Sequence, residues 1–281
     1  MTAREVLRYA AFTVGGDGGN PAGIVLDADG MSETEMLAVA AEVGYSETAF
    51  LTARAESGTY DVRYFAPERE VPFCGHATIA SAVALAERGA PADLAFRTPA
   101  GLVGVRTSSD VDGPIAELTS VEPTVRQPDP ELVDAALGAL HWTADELDPA
   151  YPVMIADAGA AHLILVVRTR RRLAELAYDF GVLAALMREH DLVTLQLVWP
   201  ESALLFHARD PFPPGGVVED PATGAAAAAF GGYLRELGLI EVPATFTIRQ
   251  GEDMGRSSEL TVELVRGEPG VRVRGHAGPI A

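Results

Sequence analysis

The sequence predicts an α+β protein made of two pseudo-symmetric halves, each a mixed or antiparallel sheet wrapped around a central helix. Three observations carry that expectation. Strand-length apolar runs predominate and often follow one another directly, which does not fit a regular strand–helix alternation and its doubly wound parallel sheet. Two segments, CGHATIASAVALAERG (74–89) and the stretch entered through VVEDPATGAAAAAFGG (217–232), read as Ala-rich core helices with tight entries. An aromatic-x-Pro step, FAP (65–67) and FPP (212–214), leads into each of them, so the order of elements partly repeats.

In chain order, residues 6–14 read as a strand, GGDGGN (15–20) as a turn and 22–27 as a second strand. Ser32 and Glu35 form an S-x-x-E capping box before the apolar stripe Met36, Leu37, Ala40 and Val43, and Gly44 ends that helix. Strands follow at 46–52 and 59–66, then the helix from Cys74 to Gly89, then strands at 93–98, 101–107 and 114–119. VEPTVRQPDP (121–130), rich in Pro and polar residues, is the candidate linker. Beyond it come a helix at 130–140, strands at 151–157 and 161–168, a helix at 179–190, and strands at 193–199 and 203–208. The second Ala-rich helix and strands at 245–250, 258–265 and 270–275 close the chain. The expected division is 1–125, 126–265, and a terminal segment 266–281 that returns to the first half.

Composition bounds the function. A chain of 281 residues, 48% hydrophobic and 22% charged, buries a sizeable core in one domain or two. Its formal net charge of -19 disfavours nucleic acid, because phosphate backbones are held by clustered Lys and Arg. The one basic cluster, Arg168 with Arg170, Arg171 and Arg172, reads as a solvated strand-to-helix corner. An anionic ligand would therefore need a local positive potential. A single cysteine, Cys74, leaves no intramolecular disulfide and suits a reducing cytoplasm. Neither a secretory leader pattern nor an apolar run of about 18–20 residues is present, so a cytoplasmic, non-membrane protein is expected.

The candidate site residues gather at the two Ala-rich helix starts. A helix N-terminus offers unpaired N–H groups and partial positive charge to a carboxylate, and small residues such as Gly75, Thr223, Gly224 and Ala225 let a ligand approach the backbone. The alternative is two ordinary buried helices. Asp220 before Pro221 is equally the preferred start of any helix, with Asp at the cap and Pro at the first position, and Glu219 beside it reads as solvated. Glu47, in GYSETAFL, shares a strand face with Tyr45, Ala49 and Leu51; turned inward its pKa would rise toward the range of general acid–base work, turned outward it is merely solvated. His76 could hold a proton or donate to a substrate, or cap, or pack. Cys74 is either an acid–base thiol lowered by the helix start or a small core residue. The six His show no HExxH or HxH spacing, so no metal site is expected. GxGxxG, GxxxxGK[ST] and GxSxG are all absent.

Taken together, GNPAGIVLDAD (19–29), YSETAFL (45–51), RYFAPEREVPFCGHATIASAVAL (63–85), GVVEDPATGAAA (216–227) and QGEDMGRSSEL (250–260) resemble the phenazine-biosynthesis (PhzF-like) family over nearly the whole chain. The resemblance implies a diaminopimelate-epimerase-like fold with the site in the cleft between two similar halves. It implies a cofactor-independent isomerase in which Glu47 takes a proton from one carbon of a small carboxylated substrate and returns it to another. His76 and Asp220 match the polar residues flanking the substrate. Cys74, Gly75, Thr223, Gly224 and Ala225 match positions lining the cleft, and Asn20 matches the loop residue of the GNP motif. A homodimer is implied by analogy. Ala225 stands where relatives commonly carry Ser, and GHAT replaces the GHP-type motif of the phenazine enzyme itself. Related epimerases place a cysteine before each central helix; here the second place holds Asp220, which argues against a two-thiol mechanism. The competing readings are an amino-acid racemase or epimerase using Cys74 with Asp220 or Glu47, and a non-catalytic small-molecule-binding relative.

Overall fold

The computed structural model describes residues 4–280. The chain folds as two compact units, Met1–Thr119 with Arg274–Ala281, and Ser120–Val273.

The first unit runs β1 (Leu7–Ala11), β2 (Asn20–Val25), α1 (Glu33–Val43), β3 (Glu47–Ala53), β4 (Thr59–Ala66), β5 (Arg69–Val71), α2 (Gly75–Ala86), β6 (Asp93–Thr98), β7 (Gly101–Asp110) and β8 (Gly113–Thr119). Its ladder alternates: β1–β2 antiparallel, β2–β3 parallel, β3–β4 antiparallel, β4–β6 parallel, β6–β7 antiparallel. The sheet curls around α2, which touches β1, β2, β3, β7 and β8. That explains the composition of α2: every residue from His76 to Leu85 is buried, so small side chains are needed on all sides rather than one apolar stripe. Outside the sheet, α1 lays Met36 and Ala40 against Val25, Phe50 and Phe65. Its capping box forms as expected, with Ser32 and Glu35 each satisfying the other's backbone N–H, and Gly44 closes the helix in the left-handed region at φ 72°.

The second unit runs β9 (Thr124–Arg126), α3 (Pro130–Leu140), β10 (Met154–Asp157), β11 (Ala161–Val166), α4 (Arg170–Ala174), α5 (Phe180–Glu189), β12 (Thr194–Ser202), β13 (Leu205–Pro211), β14 (Glu219–Asp220), α6 (Gly224–Glu236), β15 (Ala244–Gln250) and β16 (Ser258–Leu264). The ladder repeats that of the first unit: β10–β11 antiparallel, β11–β12 parallel, β12–β13 antiparallel, β13–β15 parallel, β15–β16 antiparallel. Here α6 is the enclosed helix, touching β9, β10, β11, β12 and β16. Phe230 on α6 stacks on Tyr233 and meets Phe206 and Phe246 edge-on, at centroid separations of 5.0–6.2 Å. Helices α3 and α5 cover the outer face over Leu163, Leu165, Leu195 and Leu197. The chain ends in β17 (Arg272–Pro279), whose Ala277, Gly278 and Pro279 pair with Ala11, Ala10 and Tyr9 of the first unit.

Two expectations need correction. The segment read as a linker carries β9, with Thr124 paired to Asp157, and Pro123 packs on α6; three strand residues among prolines leave no periodic signal. The 3-residue β5, 2-residue β14 and 5-residue α4 are likewise too short to read. The arginine corner is not simply solvated. Arg170 pairs with Glu252 and Asp253, while Arg172 pairs with Glu146 and lies over the Trp142 ring.

Candidate active site

Glu47 opens β3 and faces inward, 9% exposed, ahead of the fully buried Ala49 and Leu51. Cys74 is the N-cap of α2, Gly75 its first residue and His76 its second. Asn20 opens β2, and residues 22–25 of that strand run parallel to β3 with Ala22 opposite Glu47. These separate sequence positions converge on one buried polar cluster. Asn20 Nδ2 lies 3.1 Å from His76 Nδ1, and His76 Nε2 lies 3.4 Å from Glu47 Oε2 and 3.4 Å from Ser46 Oγ. The Cys74 thiol donates to Glu47 Oε2 at 3.6 Å and lies 3.4 Å from His76 Nδ1. Asn20 as donor to Nδ1 leaves Nε2 to carry the ring proton and face the carboxylate. The Cys74 side chain does not cap α2, unlike those of Ser32 and Asp179, which cap α1 and α5. The first turn of α2 is thus a source of N–H groups and positive potential beside the cluster.

The second unit holds the other candidates. Asp220 is 7% exposed, but it is not a helix cap: it lies in β14, and Thr223 is the N-cap of α6, with Gly224 buried and Ala225 half-buried in the first turn. The Asp-Pro pair reads as a cap because both residues favour that geometry; the ladder bond to β13 takes precedence. Thr223 Oγ1 donates to Asp220 Oδ2 at 2.6 Å. Gln250, from the QGEDMG motif, ties the loop together: its Nε2 donates to Asp220 O at 2.7 Å, and its Oε1 accepts from Thr223 N at 3.2 Å. Gly251 follows at φ 77°, where a Cβ would stand 2.3 Å from Arg256 O and 2.8 Å from Pro221 O, so the backbone approach to the loop requires glycine.

Glu219 is buried rather than solvated. Arg209 holds it in a two-pronged ion pair, Nε to Oε1 at 2.9 Å and Nη2 to Oε2 at 2.5 Å. The first unit has the same clamp, Arg63 to Glu70 at 2.7 and 2.6 Å. In each unit the clamp staples a short strand to its long neighbour: Phe65 faces Glu70 and Tyr64 faces Val71, as Pro211 faces Glu219 and Asp210 faces Asp220. Arg-x₆-Glu and Arg-x₉-Glu spacings were legible only with the pairing known; Ser46, Tyr64 and Gln250 lie inside the quoted motifs without being singled out there, and Asp210 lies outside them.

Among the described residues, two groups offer metal-ligand atoms within 4.8 Å of one another: Glu47, Cys74 and His76, and the more exposed Asp110, Asp112 and His276. In each group two ligands stand two residues apart, Cys74 with His76 and Asp110 with Asp112, and the third comes from a distant strand, so sequence spacing shows only part of either group.

The duplicated pairing order, with a sheet closed around a small-residue helix in each unit, is that of the diaminopimelate-epimerase-like class of α+β folds. Within that class the chain belongs to the PhzC-PhzF family of phenazine biosynthesis-like proteins, whose family model matches residues 9–281. It is 33% identical over 280 residues to the uncharacterized isomerase YfhB of Bacillus subtilis, covering 94% of this chain and 92% of the relative. It is 30% identical over 248 residues to the trans-2,3-dihydro-3-hydroxyanthranilate isomerase of Pseudomonas chlororaphis, covering 85% and 83%. The crystal structure of a PhzF-family phenazine biosynthesis protein from Bacillus anthracis superposes with a TM-score of 0.89 at 25% identity, over 100% of this chain and 98% of that one.

Proposed function

We propose that the protein is an isomerase that shifts a proton between two carbons of a small carboxylated metabolite, with Glu47 as the acid–base group. The observation that carries this reading is the buried cluster at the start of α2, where Glu47, His76 and Cys74 meet within 3.4–3.6 Å. Glu47 removes a proton from a carbon acidified by conjugation and, once its carboxyl has exchanged with solvent, delivers a proton to another carbon of that conjugated frame. The step balances without an oxidant or reductant, because the substrate itself delocalises the charge. His76, aligned by Asn20, donates a hydrogen bond to the charge that develops on the intermediate. The N–H groups and positive potential at the start of α2 suit the substrate carboxylate. Asp220, held by Thr223 and Gln250, is assigned to orienting polar substrate groups. The name of the Pseudomonas chlororaphis relative supports a cyclic amino acid of that class as the first substrate to try. A reducing cytoplasm suits the single buried thiol.

A second reading has one observation in its favour: the Cys74 thiol lies in the same cluster, within reach of both Glu47 and His76. An epimerase would use Cys74 itself as a base. Incubation with trans-2,3-dihydro-3-hydroxyanthranilate and with acyclic amino acids in heavy water separates the readings. Deuterium entering a substrate carbon and lost in Glu47→Gln, but retained in Cys74→Ser, is the expected result. Exchange lost in Cys74→Ser while persisting in Glu47→Gln assigns the epimerase. Binding with no exchange in any ligand points to a relative that has lost turnover.

A further inference from the structure

We propose that Glu47, Cys74 and His76 form a zinc site, and that a zinc ion seated there blocks the reaction by taking the carboxylate lone pair that the acid–base step needs. The binding claim stands on geometry alone; only the block rests on the role proposed above for Glu47.

The three ligand atoms outline one face of a coordination tetrahedron. Cys74 Sγ lies 3.6 Å from Glu47 Oε2 and 3.6 Å from His76 Nε2, and Nε2 lies 3.4 Å from Oε2. A tetrahedral zinc, with Zn–S of about 2.3 Å and Zn–N or Zn–O of about 2.0–2.2 Å, sets its ligand atoms about 3.3–3.7 Å apart. Hydrogen bonding accounts less well for these separations. An N–H···O bond closes to about 2.7–3.2 Å, whereas His76 Nε2 stands 3.4 Å from both Glu47 Oε2 and Ser46 Oγ.

The chemistry of the donor set points the same way. Thiolate and imidazole suit zinc, while magnesium and calcium take carboxylates, carbonyls and water. Cys74 and His76 stand two residues apart at the start of α2, so one turn presents both, and β3 brings Glu47 to them. Each of the three is at most 9% exposed. A buried ion must be compensated, and a thiolate, a carboxylate and a neutral imidazole around a divalent cation leave no net charge. The thiol gives its proton to solvent as the Zn–S bond forms, and nothing is oxidised or reduced. The partial positive charge at the start of α2 opposes a bare cation but favours the thiolate that replaces the thiol. Water completes the fourth position, as in open zinc sites.

Asn20 supplies the contact behind the ring that ligating histidines use, 3.1 Å from Nδ1. In the metal-free site its amide donates to Nδ1, and Nε2 carries the ring proton. With zinc on Nε2 the proton sits on Nδ1, and a half-turn of the Asn20 amide lets Oδ1 accept it. The second group of candidate ligands, Asp110, Asp112 and His276, is more exposed and contains no sulfur, so spectroscopy separates the two.

Cobalt(II) as a coloured stand-in for zinc tests the site without turnover. The chain has one cysteine, so a thiolate-to-cobalt charge-transfer band can come only from Cys74. Cobalt(II) chloride added to the reduced full chain under argon should give that band, together with the intense visible bands of tetrahedral cobalt, and one equivalent of zinc should remove both. Magnesium should remove neither. Outer-shell partners alone are worth about 10–100-fold in affinity, so Cys74→Ser and His76→Gln should each weaken zinc by more than about 100-fold in competition with a chromophoric chelator. Asp110→Asn should leave zinc affinity unchanged. A wild-type protein without the charge-transfer band, displacement by magnesium, or zinc binding that survives Cys74→Ser and is lost in Asp110→Asn overturns the proposal. In the deuterium-exchange assay with trans-2,3-dihydro-3-hydroxyanthranilate, stoichiometric zinc should abolish exchange and EDTA should restore it. Zinc bound at Cys74 with exchange unimpaired would overturn the block and count against Glu47 as the base. A metal-free protein that exchanges nothing, with the cobalt spectrum as expected, would count against the assigned function alone.

Discussion

At the scale of single residues, the inward turn of Glu47 decides the chemistry available. The strand pattern around it admits either face; the parallel pairing with β2 and the start of α2 place the carboxylate beside His76 and Cys74. Replacing Glu47 with Gln keeps the shape and removes the base proposed above. Solvent-deuterium incorporation should fall by about 10²–10⁴-fold, the usual worth of a positioned acid–base group, as measured by mass spectrometry or NMR of the recovered substrate. Cys74→Ser keeps a donor near Glu47 Oε2, and a loss of under about tenfold is expected. A larger loss there moves the chemistry to the thiol. Asn20→Ala removes the ring partner that aligns His76, so its effect should fall on turnover more than on substrate affinity.

At the scale of elements, two contacts rank differently although they share one two-pronged geometry. The Arg209–Glu219 pair has side chains only 11% and 4% exposed, whereas those of Arg63 and Glu70 are 35% and 27% exposed. Truncating one partner of a buried pair strands the other charge, so Arg209→Gln should cost about 3–5 kcal/mol in urea unfolding, and Arg63→Gln roughly 1 kcal/mol or less. Comparable losses would mean that burial does not set the worth of the clamp. The Gly231–Gly232 pair inside α6 has a packing cause. A Cβ at Gly232 would stand 2.3 Å from Pro123 Cβ, and one at Gly231 would crowd Val262 and Val271 at 3.1 and 3.0 Å. Gly232→Ala should destabilise by about 1–3 kcal/mol despite the better helix propensity of alanine, which unfolding midpoints would check.

At the scale of the whole molecule, buried titratable groups are expected to set the pH dependence of stability. His162 has its pKa lowered to about 3 by burial. Between that value and the ordinary pKa of about 6.5, the unfolded chain binds the proton that the folded chain excludes. Its contribution is therefore complete above that upper value and lost progressively as pH falls toward the lower one. Asp210 acts with the opposite sign. Its raised pKa makes the folded chain hold a proton that the unfolded chain releases, so its contribution is complete below about pH 4 and declines as pH rises toward its folded value. Urea titrations across pH should show His162→Gln flattening the acid limb and Asp210→Asn flattening the limb above it. An unchanged acid limb in His162→Gln would mean that the histidine charges without unfolding.

What the sequence determined is what depends on local chemistry or on motif. The capping box at Ser32, the small-residue helices and the succession of strands are set by nearest neighbours along the chain, and they stand in the structure. The family and the α+β class followed from motifs spread over nearly the whole chain. Tertiary structure alone decided which way Glu47 turns, that Asp220 lies in a strand rather than capping a helix, and that Glu219 is buried against Arg209. It also decided that His162, Thr194 and Asp210 form one buried chain. The reason is physical. Burial and hydrogen-bond partners are properties of strand pairing between residues far apart in sequence, and a carboxylate with two possible faces carries no local sign of which one the sheet will enclose.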